Sequence, residues 1–542
     1  MRNTVFALGV LMLSGVPAGA GELRGTVIDL ATGKAVAARV YVEGADGEFY
    51  HVEAASEDGE AVPYEKKRGE GSVEVHTCVS AHPFVVELPA GEYEITVERG
   101  KEYFPTVARV TLGDGSMTAQ LPLQRWIDMG ERGWFSGDTH VHRTMAELPT
   151  VIMAEDLNVA LPLTAWVTDS EHRPTTDNKS PVLVPPARLI EVDGTHVIWP
   201  VNTEYEIFSV AGERHVLGAI FVLHHREAFD LSVPPVGPLA AAARAQGAVL
   251  DLDKHNWPWS VMLLPVMDVD LFELTNNHIW RTEFMFSDWN AEYADAELFG
   301  LEMNETGGFT EEAWIRFGMQ MYYAVLSCGF RMAPSAGTAS GVHPVPLGFG
   351  RVYVHLEDGF DFERWMEGLK AGRSFVTTGP MLEVEFLGEQ AGHVFEGGVG
   401  GVVEVPVAGQ LLAANVRDYR IEVIVNGTVR EVMEGEVQGL GDGEHAVMQE
   451  RFTVPVAVAE SSWIALAAYV HDAEGRLRFA HTGPVYVDVA GKPLRAKRAE
   501  VAYFVKRLED EIARHEGVLS AAALGEYEEA LGYFRGLMEG AR

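Results

Sequence analysis

Alternating apolar and polar positions dominate both flanks of the chain and predict strands there. Residues 23–29 and 38–42 alternate on either side of a Thr-Gly-Lys turn, and residues 419–425 alternate before an Asn-Gly turn. Successive side chains of a strand point to opposite faces, so such runs form sheets with one buried face. We therefore expect two β-sandwich domains, over residues 21–124 and residues 383–490.

The pattern changes between these flanks. Apolar runs at residues 248–253 and 269–274 predict buried strands, and helical periodicity at residues 238–246, 310–328 and 362–370 predicts helices between and after them. Thr310 is a suitable N-cap for the second helix. Strands that alternate with helices are typical of parallel β/α architecture, which we expect over residues 130–382.

The end of the chain has a helical pattern. Residues 491–542 contain two apolar stripes at helical spacing, and they predict a helical hairpin docked on the body of the protein. The stripes consist of Val501, Phe504, Leu508 and Ile512, and of Leu524, Tyr527, Leu531, Phe534 and Met538.

Residues 1–20 have the pattern of a secretory signal. Arg2 is followed by the apolar run 5–16 and by Ala18-Gly19-Ala20, a small-residue cleavage site before Gly21. The apolar run is too short to span a bilayer, and no second long apolar run follows. We expect a periplasmic or secreted protein without a membrane span, cleaved near Ala20.

Charge and cysteine content narrow the classes of partner. The net charge of −37 disfavours nucleic acid, because neutralising phosphates requires a basic surface. Cys78 and Cys328 are the two cysteines and lie far apart in the chain, so we expect no disulfide framework. Neither property indicates an oligomeric state.

The clearest candidate chemistry is a pair of histidines near the end of a strand-like run, residues 133–142. His140 and His142 are two positions apart, so a strand would direct both imidazoles to one face. Neutral imidazole is a common ligand for zinc, iron and manganese. The alternative is two unrelated polar residues on a solvated strand face.

Residues 137–142, Gly-Asp-Thr-His-Val-His, resemble the opening motif of the PHP (polymerase and histidinol phosphatase) superfamily, in particular its CehA/McbA branch of metallohydrolases. Further segments match at family-like intervals, namely residues 167–169, 202–204, 215–218, 253–255 and 371–380. The resemblance implies a distorted (β/α)7-type barrel with its site at the carboxyl ends of the strands. Residues 21–124 separately resemble a carboxypeptidase regulatory-like domain.

The resemblance also implies a set of site residues. The metal ligands would be His140, His142, Glu204, His215 and His255. Asp169 would move protons, with His255 as a second catalytic residue, while Asp138 would bind the metal or support a ligand imidazole. Glu206 is an alternative to Glu204, and His278 could complete the shell or be an ordinary structural histidine.

Two departures from the family pattern lower the number of metal ions that we expect. Ser170 stands where the family has a histidine, and residues 337–341 lack the usual aspartate. His172 and His343 are the neighbours that could replace the missing ligands. We expect one or two divalent ions of zinc, manganese or iron.

Two functions are compatible with these features. The first is an exported metal-dependent hydrolase that cleaves a phosphoester, a carbamate or another ester in a small-molecule or carbohydrate-like substrate. The second is a non-catalytic, degenerate PHP-like protein that binds carbohydrate. A group of tryptophans would suit sugar stacking or core packing, namely Trp257, Trp259, Trp280 and Trp289.

Overall fold

The computed structural model describes residues 20–176, 180, 185–437 and 445–542. Apart from Ala20, the predicted signal segment lies outside the described residues. The protein is multidomain and rich in strands, with several sheets and few helices. Within the described ranges, no helix is both long and apolar enough to cross a bilayer.

The first region consists of two five-stranded sheets. One has the strand order β3-β6-β1-β10-β8 and the other β4-β5-β2-β7-β9, and alternate side chains from both sheets share one hydrophobic core. The strands are β1 (Ala20–Asp29), β2 (Ala38–Gly44), β3 (Glu53–Ala54), β4 (Ala61–Gly69), β5 (Ser72–Val79), β6 (Phe84–Pro89), β7 (Gly91–Glu98), β8 (Tyr103–Phe104), β9 (Thr106–Leu112) and β10 (Ser116–Arg125).

The central region mixes strands with helices. Its strands are β11 (Trp134–Val141), β12 (Val159–Pro162), β13 (Ala165–Asp169), β14 (Ile190–Glu191), β15 (Val197–Ile198), β16 (Thr203–Val210), β17 (Glu213–Leu223), β18 (Val249–Leu252), β19 (Leu271–Thr275), β20 (Ala333–Ala336), β21 (Arg351–His355) and β22 (Ser374–Thr377). Its α-helices are α1 (Leu148–Ala154), α2 (Gly237–Ala245), α3 (Ser260–Met267), α4 (Ala296–Phe299), α5 (Glu311–Ser327) and α6 (Phe362–Ala371). Thr310 caps α5 as predicted, because its side chain accepts a hydrogen bond from Ala313 N.

The central sheets are not purely parallel, which differs from the expectation. In the six-stranded sheet β13-β16-β17-β18-β19-β20, β17 runs antiparallel to both of its neighbours. The connection from β16 to β17 is a tight turn at Ala211 and Gly212, both with positive φ. A turn this short can join only antiparallel strands, since a parallel connection needs a crossover.

The last region continues a central sheet. Its strands are β23 (Met381–Phe386), β24 (Val394–Gly397), β25 (Val403–Glu404), β26 (Val407–Ala414), β27 (Asp418–Val425), β28 (Thr428–Glu436), β29 (Val447–Val454), β30 (Ala457–Val458), β31 (Ser462–His471), β32 (Leu477–Thr482) and β33 (Val485–Val489). Because β22 pairs with β32, a twelve-stranded sheet spans the boundary that the sequence predicts at residue 382.

Two helices end the chain, α7 (Arg498–His515) and α8 (Ala521–Gly540). They pack against each other, and α8 also packs against α3 of the central region. Buried side chains such as Phe504 and Phe534 join these helices to the largest core of the molecule.

Ion pairs connect the first region to the central one. The Arg39 guanidinium binds the carboxylates of Glu155 and Glu98, and Arg99 Nη2 lies 2.5 Å from Asp156 Oδ1. All of these side chains are largely buried, so the contacts fix the two regions against each other. Cys78 and Cys328 are buried and free.

Candidate metal centre

Strand β11 directs two imidazoles to one point. His140 lies in the strand and His142 follows directly after it, and their Nε2 atoms are 3.0 Å apart. Both residues are buried, with 1% and 8% of their surface exposed. Because successive side chains of a strand point to opposite faces, the rings at positions 140 and 142 share one face.

Glu204 on β16 completes a three-residue group with these histidines. Its carboxylate lies 3.3 Å from His142 Nε2 and 4.0 Å from His140 Nε2. Ligands that bind one tetrahedral metal at about 2.0–2.2 Å are themselves separated by roughly 3.3 Å. Two imidazoles and a carboxylate form a donor set that zinc, manganese and iron accept. The group therefore fits a divalent transition metal.

A buried carboxylate on β19 orients His140. Glu273 Oε1 is 2.9 Å from His140 Nδ1, on the opposite side of the ring from Glu204. An Nδ1–H that donates to this carboxylate leaves the Nε2 lone pair directed at His142 and Glu204. Burial, and next the adjacent carboxylate of Asp253, raises the pKa of Glu273 well above its usual value.

Asp138 supports the centre without joining it. Its carboxylate accepts hydrogen bonds from the backbone N–H groups of His140, Thr338 and Gly348 and from the Thr338 hydroxyl. Burial raises the pKa of Asp138 to about 6 despite these four donors. The residue thus ties β11 to the segment after β20.

The segment after β20 passes very close to the histidines. A Cβ atom on Gly337 would lie 2.1 Å from His140 Cβ and 2.1 Å from Glu273 Oε1, so only glycine fits. Farther along, Ser340 O accepts from His142 N at 2.8 Å. This segment packs against His140 and holds the backbone of His142.

A second acidic group adjoins the first. One carboxylate oxygen each from Glu204, Glu206 and Asp253 lie within 4.8 Å of one another. The Lys254 ammonium contacts Asp253 and lies 3.7 Å from Glu206 Oε1. Although burial lowers the pKa of Lys254, these carboxylates outweigh it and raise the pKa above its usual value.

His215 does not join the predicted site. It lies near the turn end of β17, six positions from Phe221, the residue opposite Glu204. At about 3.4 Å per residue this places it roughly 20 Å along the strand. His215 Nε2 is instead 2.8 Å from His515 Nδ1 on α7. The prediction of His215 as a ligand is corrected because the hairpin carries it away from the centre.

His255 is also outside the group of metal-ligating atoms. Its ring packs against Phe272, Trp314 and Phe317, and it is 1% exposed. Neither ring nitrogen has a hydrogen-bond partner among the described residues. Burial lowers the pKa of His255 to about 3, so the ring is neutral. The position after β18 that reaches the centre is Asp253, two residues earlier.

Asp169 holds a turn rather than facing the ligands. Its carboxylate accepts hydrogen bonds from Ser209 Oγ and from the backbone N–H groups of Gly212 and Glu171. The hydrogen bond from Ser209 is the main cause that lowers its pKa. His172 lies beside it with a side chain that is 75% exposed. Neither residue belongs to a described group of metal-ligating atoms.

His343 lies in a cluster of aromatic side chains. His343 is buried against His278, Trp280 and Phe286, and its Nε2 is 3.4 Å from Asn277 Nδ2. It therefore does not replace a missing ligand. Three of the four tryptophans that could stack on sugars are buried in the core, namely Trp257, Trp259 and Trp280.

His140 also forms a group of potential ligands with Asp253 and Glu273, and a separate group lies where the first and central regions meet. His76, Cys78 and Glu155 are all buried, with ligand atoms within 4.8 Å of one another. Arg39 already neutralises Glu155, and burial raises the pKa of the Cys78 thiol to about 12. A protonated thiol is a poor ligand, so this group is less suited to a metal than the His140 group.

Sequence reasoning missed three contributors to the centre, Asp253, Lys254 and Glu273. All are charged residues within or directly after the apolar runs 248–253 and 269–274. A charge in a fully buried strand requires a partner or a metal, and this signal could have identified them.

Comparisons with known proteins give little further information. No family model matches this chain, and no curated protein matches it. One solved structure, a two-domain protein from Bacteroides vulgatus ATCC 8482 described as containing a predicted PHP-like metal-dependent phosphoesterase, is 10% identical. The match covers 64% of this chain and 94% of that chain with a TM-score of 0.28, which is too low to carry an argument.

Proposed function

We propose that this protein is a metal-dependent hydrolase. The observation that carries the proposal is the convergence of His140, His142 and Glu204, buried and spaced as ligands of one ion. The strands that supply them, β11 and β16, belong to different sheets, so neighbouring positions in the sequence do not account for the grouping. The motif of residues 137–142 supports a PHP-type barrel as the scaffold.

The residues of the chain have distinct tasks in this proposal. A divalent ion held by the three ligands would supply Lewis-acid activation of water and of the scissile group. Glu273 fixes the tautomer of His140, and Asp138 accepts a hydrogen bond from the backbone N–H of His140. Glu206 lies beside the ligand Glu204 on the same strand face, where its carboxylate can accept a proton from an attacking water.

The substrate class comes from the sequence resemblance alone. A phosphoester, a carbamate or another ester of a small molecule or carbohydrate suits the proposed hydrolase. The barrel, the flanking sandwiches and the helical hairpin remain part of this proposal, as does export through the signal at residues 1–20. N-terminal sequencing of the exported chain tests the last point, with Gly21 as the expected first residue.

The test combines metal content with hydrolysis. Purified protein should contain about one or more equivalents of a divalent transition metal, and the variants His140→Ala and His142→Ala should lose it together with activity on a phosphoester, carbamate and ester panel. His172→Ala is the matched control, because its exposed imidazole lies outside the group. Unchanged metal content in the first two variants would refute the proposal.

A further inference from the structure

A lysine side chain lies inside an acidic cluster that could otherwise hold a cation. Glu204, Glu206 and Asp253 each place a carboxylate oxygen within 4.8 Å of the others. Lys254 has only 4% of its side chain exposed, and its ammonium donates to Asp253 and lies 3.7 Å from Glu206. The ammonium is therefore a built-in positive charge at this cluster.

The acidic cluster that holds this charge shares a residue with the group of His140 and His142. Glu204 belongs both to the histidine group and to the acidic cluster, so it stands between the two. Asp253 also lies 3.8 Å from His140 Nδ1, and the Lys254 ammonium is 5.7 Å from the centre of the Trp257 ring. A second metal ion bridged through Glu204 would need the carboxylates that Lys254 contacts.

We propose that the Lys254 ammonium takes the place of a second metal ion and limits the centre to one ion. This inference rests on the proposed metal-dependent function. It explains why carboxylates of a potential two-metal site are present although the family's second and late motifs lack ligands, at Ser170 and residues 337–341. The lysine neutralises acids that a metal ion would otherwise bind.

Two physical effects support one ion. A divalent ion needs carboxylate oxygens at about 2.0–2.2 Å, and the ammonium already contacts Asp253 Oδ2 and lies 3.7 Å from Glu206 Oε1. A second cation a few ångströms from a buried ammonium is also repelled strongly, because little solvent screens the two charges.

The experiment measures metal stoichiometry rather than activity. The wild-type protein and the variants Lys254→Met and Lys254→Gln are stripped with a chelator, saturated with Mn²⁺, freed of excess ion and assayed by elemental analysis, with circular dichroism as a check of folding. Lys254→Arg keeps the charge. Lys101→Met removes a half-buried lysine that donates to Thr378 O, away from the cluster, and is the matched control.

We expect one equivalent in wild type, Lys254→Arg and Lys101→Met, and two in the Met and Gln variants, with the electron paramagnetic resonance signal of a coupled Mn²⁺ pair. One equivalent in every protein would overturn the inference and leave the proposed function standing. Two equivalents in wild type would also overturn it, and this result needs no variant to fold. No bound metal in any of the proteins would contradict the proposed function itself, and the inference with it.

Discussion

His140 uses its two ring nitrogens for different purposes. Nδ1 faces the Glu273 carboxylate at 2.9 Å, whereas Nε2 faces His142 at 3.0 Å. The adjacent Thr139 points to the other side of β11, where its hydroxyl donates to Asp251 at 3.1 Å. Strand alternation therefore places the two histidines and the Thr139–Asp251 hydrogen bond on opposite faces of β11. The contact between Glu273 and Nδ1 determines which nitrogen of His140 is available to a metal.

Replacement of Glu273 by glutamine tests this support. Glutamine cannot take the ionised form that a bound cation favours in Glu273 and that accepts the His140 Nδ1–H, so metal affinity should fall about 10- to 100-fold. A competition titration against a fluorescent chelator measures the change. Glu131→Gln, at an exposed position, should bind metal like the wild type. Equal affinity in the two variants would show that Glu273 does not orient the ligand.

At this scale, sequence reasoning succeeds where the partners are close in the chain. The i, i+2 spacing of His140 and His142 is sufficient to predict that they meet, and the sequence favours Glu204 over Glu206 as their partner. The pairing of His140 with Glu273 joins residues from separate strands. No local periodicity encodes such a contact, which depends on how the sheets fold against each other.

The elements around the centre are packed without spare room. The segment after β20 crosses β11 so closely that Gly337 has no space for a side chain, and Asp138 holds the segment by three of its hydrogen bonds. The β16–β17 hairpin accounts for the position of His215, away from the centre. The sequence indicates a strand there, but the length of the hairpin decides which of its residues reach the centre.

Gly337→Ala should disturb both folding and metal binding. The added methyl group would meet His140 and Glu273 at 2.1 Å, and overpacking of this kind costs about 1–3 kcal/mol. Urea unfolding measures the loss of stability, and the competition titration measures the loss of affinity. Gly194→Ala is the control, because a Cβ there meets no atom within 4 Å. A Gly337→Ala protein with wild-type stability and affinity would contradict the close contact.

At the scale of the whole molecule, the regions are joined more tightly than separate domains would be. The twelve-stranded sheet continues from the central strands into the last region, and buried ion pairs connect the first region to Glu155 and Asp156, directly after α1. Composition and alternation were sufficient to predict a strand-rich, multidomain chain. The continuous sheet was not predictable, because the pairing of β22 with β32 joins residues about a hundred positions apart.

Arg39→Met tests the connection between the first and central regions. The change leaves Glu155 buried without its cation, whereas Glu98 keeps Arg281, and breaking a buried pair such as Arg39–Glu155 costs about 3–5 kcal/mol. Arg109→Met, which removes a pair whose arginine is 84% exposed, should cost at most about 1 kcal/mol. Urea denaturation compares the variants, and equal losses would refute a clamping role for Arg39.

His481 should make the free energy of unfolding depend on pH. It lies on β32, where its Nδ1 donates to Thr482 O, and burial lowers its pKa to about 4. A histidine whose pKa is depressed in the folded state stabilises the fold above its unfolded pKa of 6.5, and this contribution is lost as the pH falls towards 4. The loss amounts to about 3 kcal/mol at most.

The variant His481→Gln isolates this effect. Its free energy of unfolding should fall less steeply than that of the wild type between about pH 7 and about pH 4, because glutamine does not titrate. Chemical denaturation at a series of pH values gives both curves. Parallel curves would show that His481 does not stay neutral in the folded protein.

The position of a bound metal ion tests the central claim most directly. Crystals of the protein saturated with Mn²⁺ or Zn²⁺ should give an anomalous difference peak about 2.0–2.2 Å from His140 Nε2, His142 Nε2 and a Glu204 carboxylate oxygen. A peak at His76, Cys78 and Glu155 instead, or no peak in a well-ordered crystal, would contradict the account.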